Sequence, residues 1–111
     1  MACNSRQKGA AGEREACREI ERVLGVKMRR GQQFCGANGD ADVVGIPGVH
    51  IEVKRVQNLN LTAAMAQSVS DAKNGEIPIV VHRKDRSEWL ATVRLSDLKA
   101  LSELIARLES T

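Results

Sequence analysis

Residues 39–55, Gly-Asp-Ala-Asp-Val-Val-Gly-Ile-Pro-Gly-Val-His-Ile-Glu-Val-Lys-Arg, constrain the fold of this chain more than any other stretch. Val43, Val44, Ile46, Val49, Ile51 and Val53 are β-branched and fit a pleated sheet. Pro47-Gly48 marks a turn between two short strands. Four charged residues break this apolar pattern: Asp40 and Asp42 enter the first strand, and Glu52 and Lys54 leave the second. An unpaired buried charge costs several kcal/mol. A divalent cation held by carboxylate oxygens removes that cost most directly.

The register of this hairpin decides whether the acids can meet. A two-residue turn at Pro47-Gly48 sets Val44 opposite Ile51 and sends Asp42 and Glu52 to opposite faces. One extra loop residue, or a β-bulge, brings Asp42, Glu52 and Lys54 together. Pro followed by Gly favours turn types I or II, which do not match the twist of a tight hairpin, so the longer connection is favoured.

Around the hairpin the pattern alternates between helical and strand periods. Residues 1–7 read as a loose tail. Residues 9–24 carry Ala16, Cys17, Ile20, Val23 and Leu24 at helical spacing, ended by Gly25. Glu13 precedes Ala16 by three residues and Cys17 by four, so it projects from the apolar face. Spacing alone leaves two readings of it open, an inward carboxylate or a first-turn acid favoured by the helix dipole. Glu15 and Glu19 fall beside Arg18 and Arg22 on the polar side. Residues 26–35 alternate as a strand with one wet face. Its Lys27, Arg29 and Arg30 suit either an edge that deters strand pairing or contact with phosphates. A Gly- and Asn-rich turn fills residues 32–39.

Asn60 or Thr62 caps a second helix, rich in alanine, that ends near Asn74 and Gly75. Residues 77–82 form a nearly continuous apolar run, as in a strand covered on both faces. Residues 83–87 make a charged, solvated turn. Residues 88–95 alternate again with Trp89, Ala91, Val93 and Leu95 inward. Ser96-Asp97 caps a last helix whose Leu98, Leu101, Leu104, Ile105 and Leu108 form a stripe that is either core or a dimer contact. His50 and His82 are too far apart in sequence to suggest a ligand pair, and each reads as a structural strand histidine.

A chain of 111 residues with 42% hydrophobic and 28% charged residues is one globular domain, 1–111, and is neither disordered nor membrane-like. A net charge of +3 points weakly to a polyanionic partner. With Phe34 and Trp89 as the whole aromatic complement, the chain is not built to grip single strands by stacking. An odd count of three cysteines without paired spacing suits a reducing compartment. There is no membrane-spanning run and no signal peptide, so a cytoplasmic location is expected.

An acidic residue, a short hairpin and then Glu52-Val53-Lys54 on a strand resemble the core of the PD-(D/E)XK nuclease superfamily. Within it the similarity is to archaeal-type Holliday junction resolvases and their small phage relatives, which also open on a Gly-x-x-x-Glu-Arg helix, here residues 9–14. The likeness spans residues 8–95. It departs at Ala41, where the motif has Pro, and this makes Asp40 a rival to Asp42.

The resemblance implies an α/β fold with a restriction-endonuclease-like core, a mixed five-stranded sheet flanked by helices in the order α-β-β-β-α-β-β-α. It implies a Mg²⁺-dependent structure-specific DNA endonuclease, a phosphodiester hydrolase acting in recombination or repair. Mn²⁺ would substitute for Mg²⁺, and the product would carry a 5′-phosphate. Glu13, Asp42, Glu52, Lys54 and Gln67 would be catalytic. Asp42, Glu52 and the Val53 carbonyl would hold the metal, with Glu13 or Asp40 as a further ligand. Lys8, Lys27, Arg29, Arg30 and Arg55 would contact DNA. The substrate would be a branched structure such as a four-way junction, cut by a homodimer that supplies two equivalent sites, in a bacterial or phage-infected cell. Two other readings stand beside it: a nicking or repair endonuclease acting on flaps, ends or damaged duplex, and a non-catalytic DNA-binding module.

Overall fold

The computed structural model describes residues 2–31 and 41–109, with side chains over 9–31 and 41–108. In chain order the elements are α1 (Ala2–Leu24), β1 (Arg29–Arg30), β2 (Val43–Val44), β3 (Val49–Arg55), α2 (Leu61–Asp71), β4 (Ile77–Arg83) and β5 (Leu90–Val93). A 3-10 turn at Leu95–Asp97 then leads into α3 (Leu98–Glu109). The five described strands form one mixed sheet in the order β1-β2-β3-β4-β5. β3 and β4 run parallel with α2 as their crossover, and the other neighbours are antiparallel. This is the expected α/β arrangement. No described helix is long and apolar enough to cross a membrane.

Strand alternation assigns the two faces of the sheet. Val43, Val49, Ile51, Ile77, Ile79 and Val81 pack with Ala16 and Cys17 of α1 and Leu104 of α3. The residues between them in sequence, His50, Glu52, Pro78 and Val80, point the other way and are buried on the α2 side. Helix α2 presents Ala64 and Ser68 there, and the Ser68 hydroxyl donates to the carbonyls of His50 and Ile79 at 3.4 Å each. Side chains this small let the helix lie close to the strands. With helices on both faces, β4 is buried from Ile77 to Val81, which explains its unbroken apolar run. Each fully buried valine here stabilises the fold by about 1.5–3 kcal/mol. On the α1 side, Gly12 lies so near β3 that an added Cβ would sit 3.3 Å from Cβ of Arg55.

The hairpin register carries the extra residue that a meeting of the acids requires. Val43, not Val44, pairs with Ile51. Gly45 and Gly48 in the connection take φ of +150° and +94°, conformations that favour glycine. A Cβ on Gly45 would also stand 2.7 Å from Sδ of Met28. At the start of α2, Asn60 caps the helix, its Oδ1 accepting from the Ala63 N–H at 3.0 Å.

Several expectations need correction. Helix α1 starts at Ala2, so the tail expected over residues 1–7 is helical from its second residue. The strand expected over 26–35 pairs with β2 at Arg29 and Arg30 alone, while residues 32–40 lie outside the described residues. Helix α2 stops at Asp71 rather than near Asn74. Arg83 belongs to β4, not to a solvated turn; it pairs with Glu15 and stacks 5.9 Å from the centre of the Trp89 ring. Glu15 therefore reaches across to the sheet instead of resting beside Arg18, whereas Glu19 does pair with Arg22. Leu95, expected inward, is 84% exposed because β5 ends at Val93 and the chain turns away. Ala91 is exposed too. In the α3 stripe Leu104 is core, Leu101 and Leu108 pack against it, and Leu98 is half exposed.

Gly45→Ala is expected to destabilise the protein by about 1–3 kcal/mol, through backbone strain and the Met28 clash. Gly9→Ala, whose new methyl would meet nothing within 4 Å, should stabilise it by about 0.5–1 kcal/mol. Urea midpoints of the two variants should move in opposite directions; movement in the same direction would contradict this account of the hairpin connection.

Candidate functional site

Just before β2 the chain is held by three bonds at one residue. Asp42 donates its N–H to the Ile51 carbonyl at 3.0 Å, and its own carbonyl accepts from Gly31 at 2.9 Å. Its carboxylate accepts the Val53 N–H at 2.7 Å, standing where a ladder carbonyl would. The side chain is therefore fixed against β3, close enough to Glu52 to push that carboxyl's pKa upward. In a strand, the N–H and C=O of one residue project to the same side. The Val53 carbonyl thus points toward Asp42 as well.

Glu13 joins this pair from α1. It lies one turn before Ala16 and Cys17 on the buried face and is 9% exposed. Because α1 begins at Ala2, Glu13 is well inside the helix, and the first-turn dipole reading drops out. Arg30 Nε donates to its Oε1 at 2.9 Å. Burial pushes the Glu13 carboxyl above its ordinary pKa; the Arg30 bond opposes the rise and the nearby Asp42 charge adds to it.

Glu52 is the most constrained member of the group. It is 7% exposed, and burial drives its pKa upward. A 2.8 Å bond with His50 Nε2 resists that shift, while Asp42 reinforces it through like charge and their shared hydrogen bond. His50 is itself raised, first by the bond to Glu52, against the desolvation of its buried ring. Two neighbouring carboxylates repel one another, and a cation between them would relieve that repulsion. Arg30 offsets one of the three acids. The oxygen-rich remainder, Asp42, Glu52 and the Val53 carbonyl with Glu13 alongside, suits a hard divalent ion such as Mg²⁺.

Lys54 follows Glu52 on the same strand face, half-buried and without an ion pair among the described residues. Gln67 is exposed on α2, one turn before Asp71, and no described contact links it to the acids. Lys27 and Arg29 are exposed near the cluster. Arg30 is committed to Glu13. Arg55 faces α1 instead, within 3.6 Å of Glu15 and 3.4 Å of Asp85. Asp40 and the Lys8 side chain lie outside the described residues.

Two further groups lie beside Glu52: His50, read from the sequence as a structural strand histidine, and Asp71, which the sequence did not single out. His50 stands two residues before Glu52 on one strand face, a period-two signal that was legible. Asp71 ends α2, and its donor oxygen lies with those of His50 and Glu52 within 4.8 Å of one another. Its approach depends on how α2 docks, which no local pattern records.

The raised pKa values fix the sign of the pH dependence. Glu13, Glu52 and His50 each hold a proton more tightly folded than unfolded, so their contribution to stability is lost as pH rises through the folded values. Without divalent ions, Tm should fall between about pH 5 and about pH 8. Added Mg²⁺ should restore most of the loss at the upper end. Asp42→Asn keeps an acceptor for the Val53 N–H but removes a charge, so it should flatten the slope. A Tm that ignores pH in both proteins would contradict the proposed sharing of charge.

Compared with protein-family models, curated proteins and solved structures, the chain matches none, and the reading of the site rests on its geometry.

Proposed function

We propose that the chain is a Mg²⁺-dependent DNA endonuclease that hydrolyses phosphodiester bonds in branched DNA, a four-way junction above all. One observation carries this reading: Asp42 lies within charge range of both Glu13 and Glu52, two buried carboxyls, in an arrangement that a cation would relieve, and Lys54 follows Glu52 on the same strand face. A surface patch serving stability alone would not keep Glu13 and Glu52 buried at raised pKa.

Asp42, Glu52 and the Val53 carbonyl would hold the ion, which when bound stabilises charge on the phosphoryl oxygens. The chain's own groups do the rest. Lys54, aligned with Glu52 on one strand face, either donates to a phosphoryl oxygen or positions and deprotonates the attacking water. Glu13 holds Arg30 at the rim, where 43% of that side chain stays exposed to meet a phosphate. Exposed Lys27 and Arg29 extend the basic edge and would contact the backbone without reading sequence. Arg55, turned toward Glu15 and Asp85, is the weakest of the DNA-contact candidates.

Symmetric resolution of a junction needs two nicks, and a two-fold dimer would bring two such sites. Leu95 and Leu98, 84% and 50% exposed, offer apolar surface for that contact. The working location would be the cytoplasm of a bacterial or phage-infected cell.

Labelled junction, flap, nicked duplex and single strand should be offered to the protein with and without Mg²⁺. Cleavage of the junction is expected with Mg²⁺ only. Asp42→Asn should lower cleavage at least about 10²-fold while binding persists. Cleavage confined to flaps or nicked duplex would move the assignment to a repair endonuclease. Binding without cleavage under every condition would leave a DNA-binding module.

A further inference from the structure

Beside Glu52 lies a second group of donors. His50 and Glu52 are 5% and 7% exposed, and His50 Nε2 is 2.8 Å from Glu52 Oε1. Asp71 reaches the pair from α2, and the three donor atoms lie within 4.8 Å of one another. Two ligands of one tetrahedral zinc ion stand about 3.3 Å apart, so a small closing motion would bring the third donor into place. The other imidazole nitrogen, Nδ1, faces Glu76 Oε1 at 3.8 Å. That oxygen accepts the Lys73 N–H at 2.8 Å and stands beyond hydrogen-bond reach of the ring, on the side where a metal-bound histidine commonly has a carboxylate companion.

A separate observation points the same way. Asp71 is the last residue of α2, and no basic residue occupies that last turn. A carboxylate there meets the negative end of the helix dipole, which disfavours it. It also faces Glu52, so the fold brings one more negative group to a place already short of positive charge. Asp71 is exposed, which leaves an ion a path from solvent.

We propose that His50, Glu52 and Asp71 form a binding site for a divalent first-row transition ion, of which Zn²⁺ is the probe, separate from the oxygen-lined site around Asp42. The imidazole sets the preference. A mixed nitrogen and carboxylate set favours Zn²⁺ and its neighbours, whereas the all-oxygen set suits Mg²⁺. Glu52 stands between the two sites and can serve either. The inference does not depend on DNA cleavage.

The chain has two histidines, His50 and His82, so the test is clean by NMR. Zn²⁺ added to the full chain should shift the ring resonances of His50 and leave those of His82, which bonds Thr92 instead, in place. Calorimetry should give one Zn²⁺ per chain. Asp71→Asn replaces an exposed side chain without threatening the fold and should weaken Zn²⁺ at least about 10-fold. Asp42→Asn should weaken it less. The same two variants separate this site from the nuclease reading: Asp71→Asn should keep Mg²⁺-dependent cleavage, and Asp42→Asn should lose it. Absence of Zn²⁺ uptake, equal uptake by wild type and Asp71→Asn, or a greater loss in Asp42→Asn would each overturn the proposal.

Discussion

Val43 pairs with Ile51 because the connection between β2 and β3 contains one residue more than a tight turn, with glycines at the two positions of positive φ. That single choice of register sets Asp42, the residue before β2, opposite Glu52 and seats its carboxylate on the Val53 N–H. Had Val44 paired with Ile51 instead, Asp42 and Glu52 would lie on opposite sides of the sheet. The apolar core would be rearranged with them, since Val43 and Ile51 are 1% and 3% exposed. Packing and polar site thus depend on the same pairing, and neither can slip without the other.

The rest of the molecule holds that pairing in place. Helices α1 and α3 close one face and α2 the other, so β3 is fixed from both sides where it bears His50, Glu52 and Lys54. The parallel β3–β4 ladder extends through all seven residues of β3. Against this rigid background, the carboxyls that are raised in pKa stay buried although burial opposes their charge. Arg30 and His50 offset part of that cost from within the fold, at Glu13 and Glu52 respectively.

Much of the fold was legible because its signals are local. Branched residues at period two marked β3, an unbroken apolar run marked β4, and helical spacing marked α1 and α3. The three- and four-residue distances of Glu13 to Ala16 and Cys17 put it on the apolar face, but only the start of α1 at Ala2 removed the first-turn reading. The convergence of Asp42 with Glu52 was legible only as a condition on the hairpin, since turn chemistry favours a longer loop without fixing its register. Other features are set by distant partners. Glu15 pairs with Arg83 across 68 residues, and Asp71 approaches His50 through the docking of α2. Leu95 alternates as though inward, but β5 ends first and leaves it in solvent. Periodicity says which way a side chain would face if the element continued, not where the element stops.

Gly12 controls the cluster without belonging to it. Its missing side chain lets α1 lie against β3, and a methyl group there would press on the stem of Arg55. The neighbouring residue is Glu13, so any widening of that gap would swing the carboxylate on a rigid helix away from Asp42. Adjustments to the reach of Glu13 are therefore to be sought at the helix–strand gap as much as among the charged residues themselves.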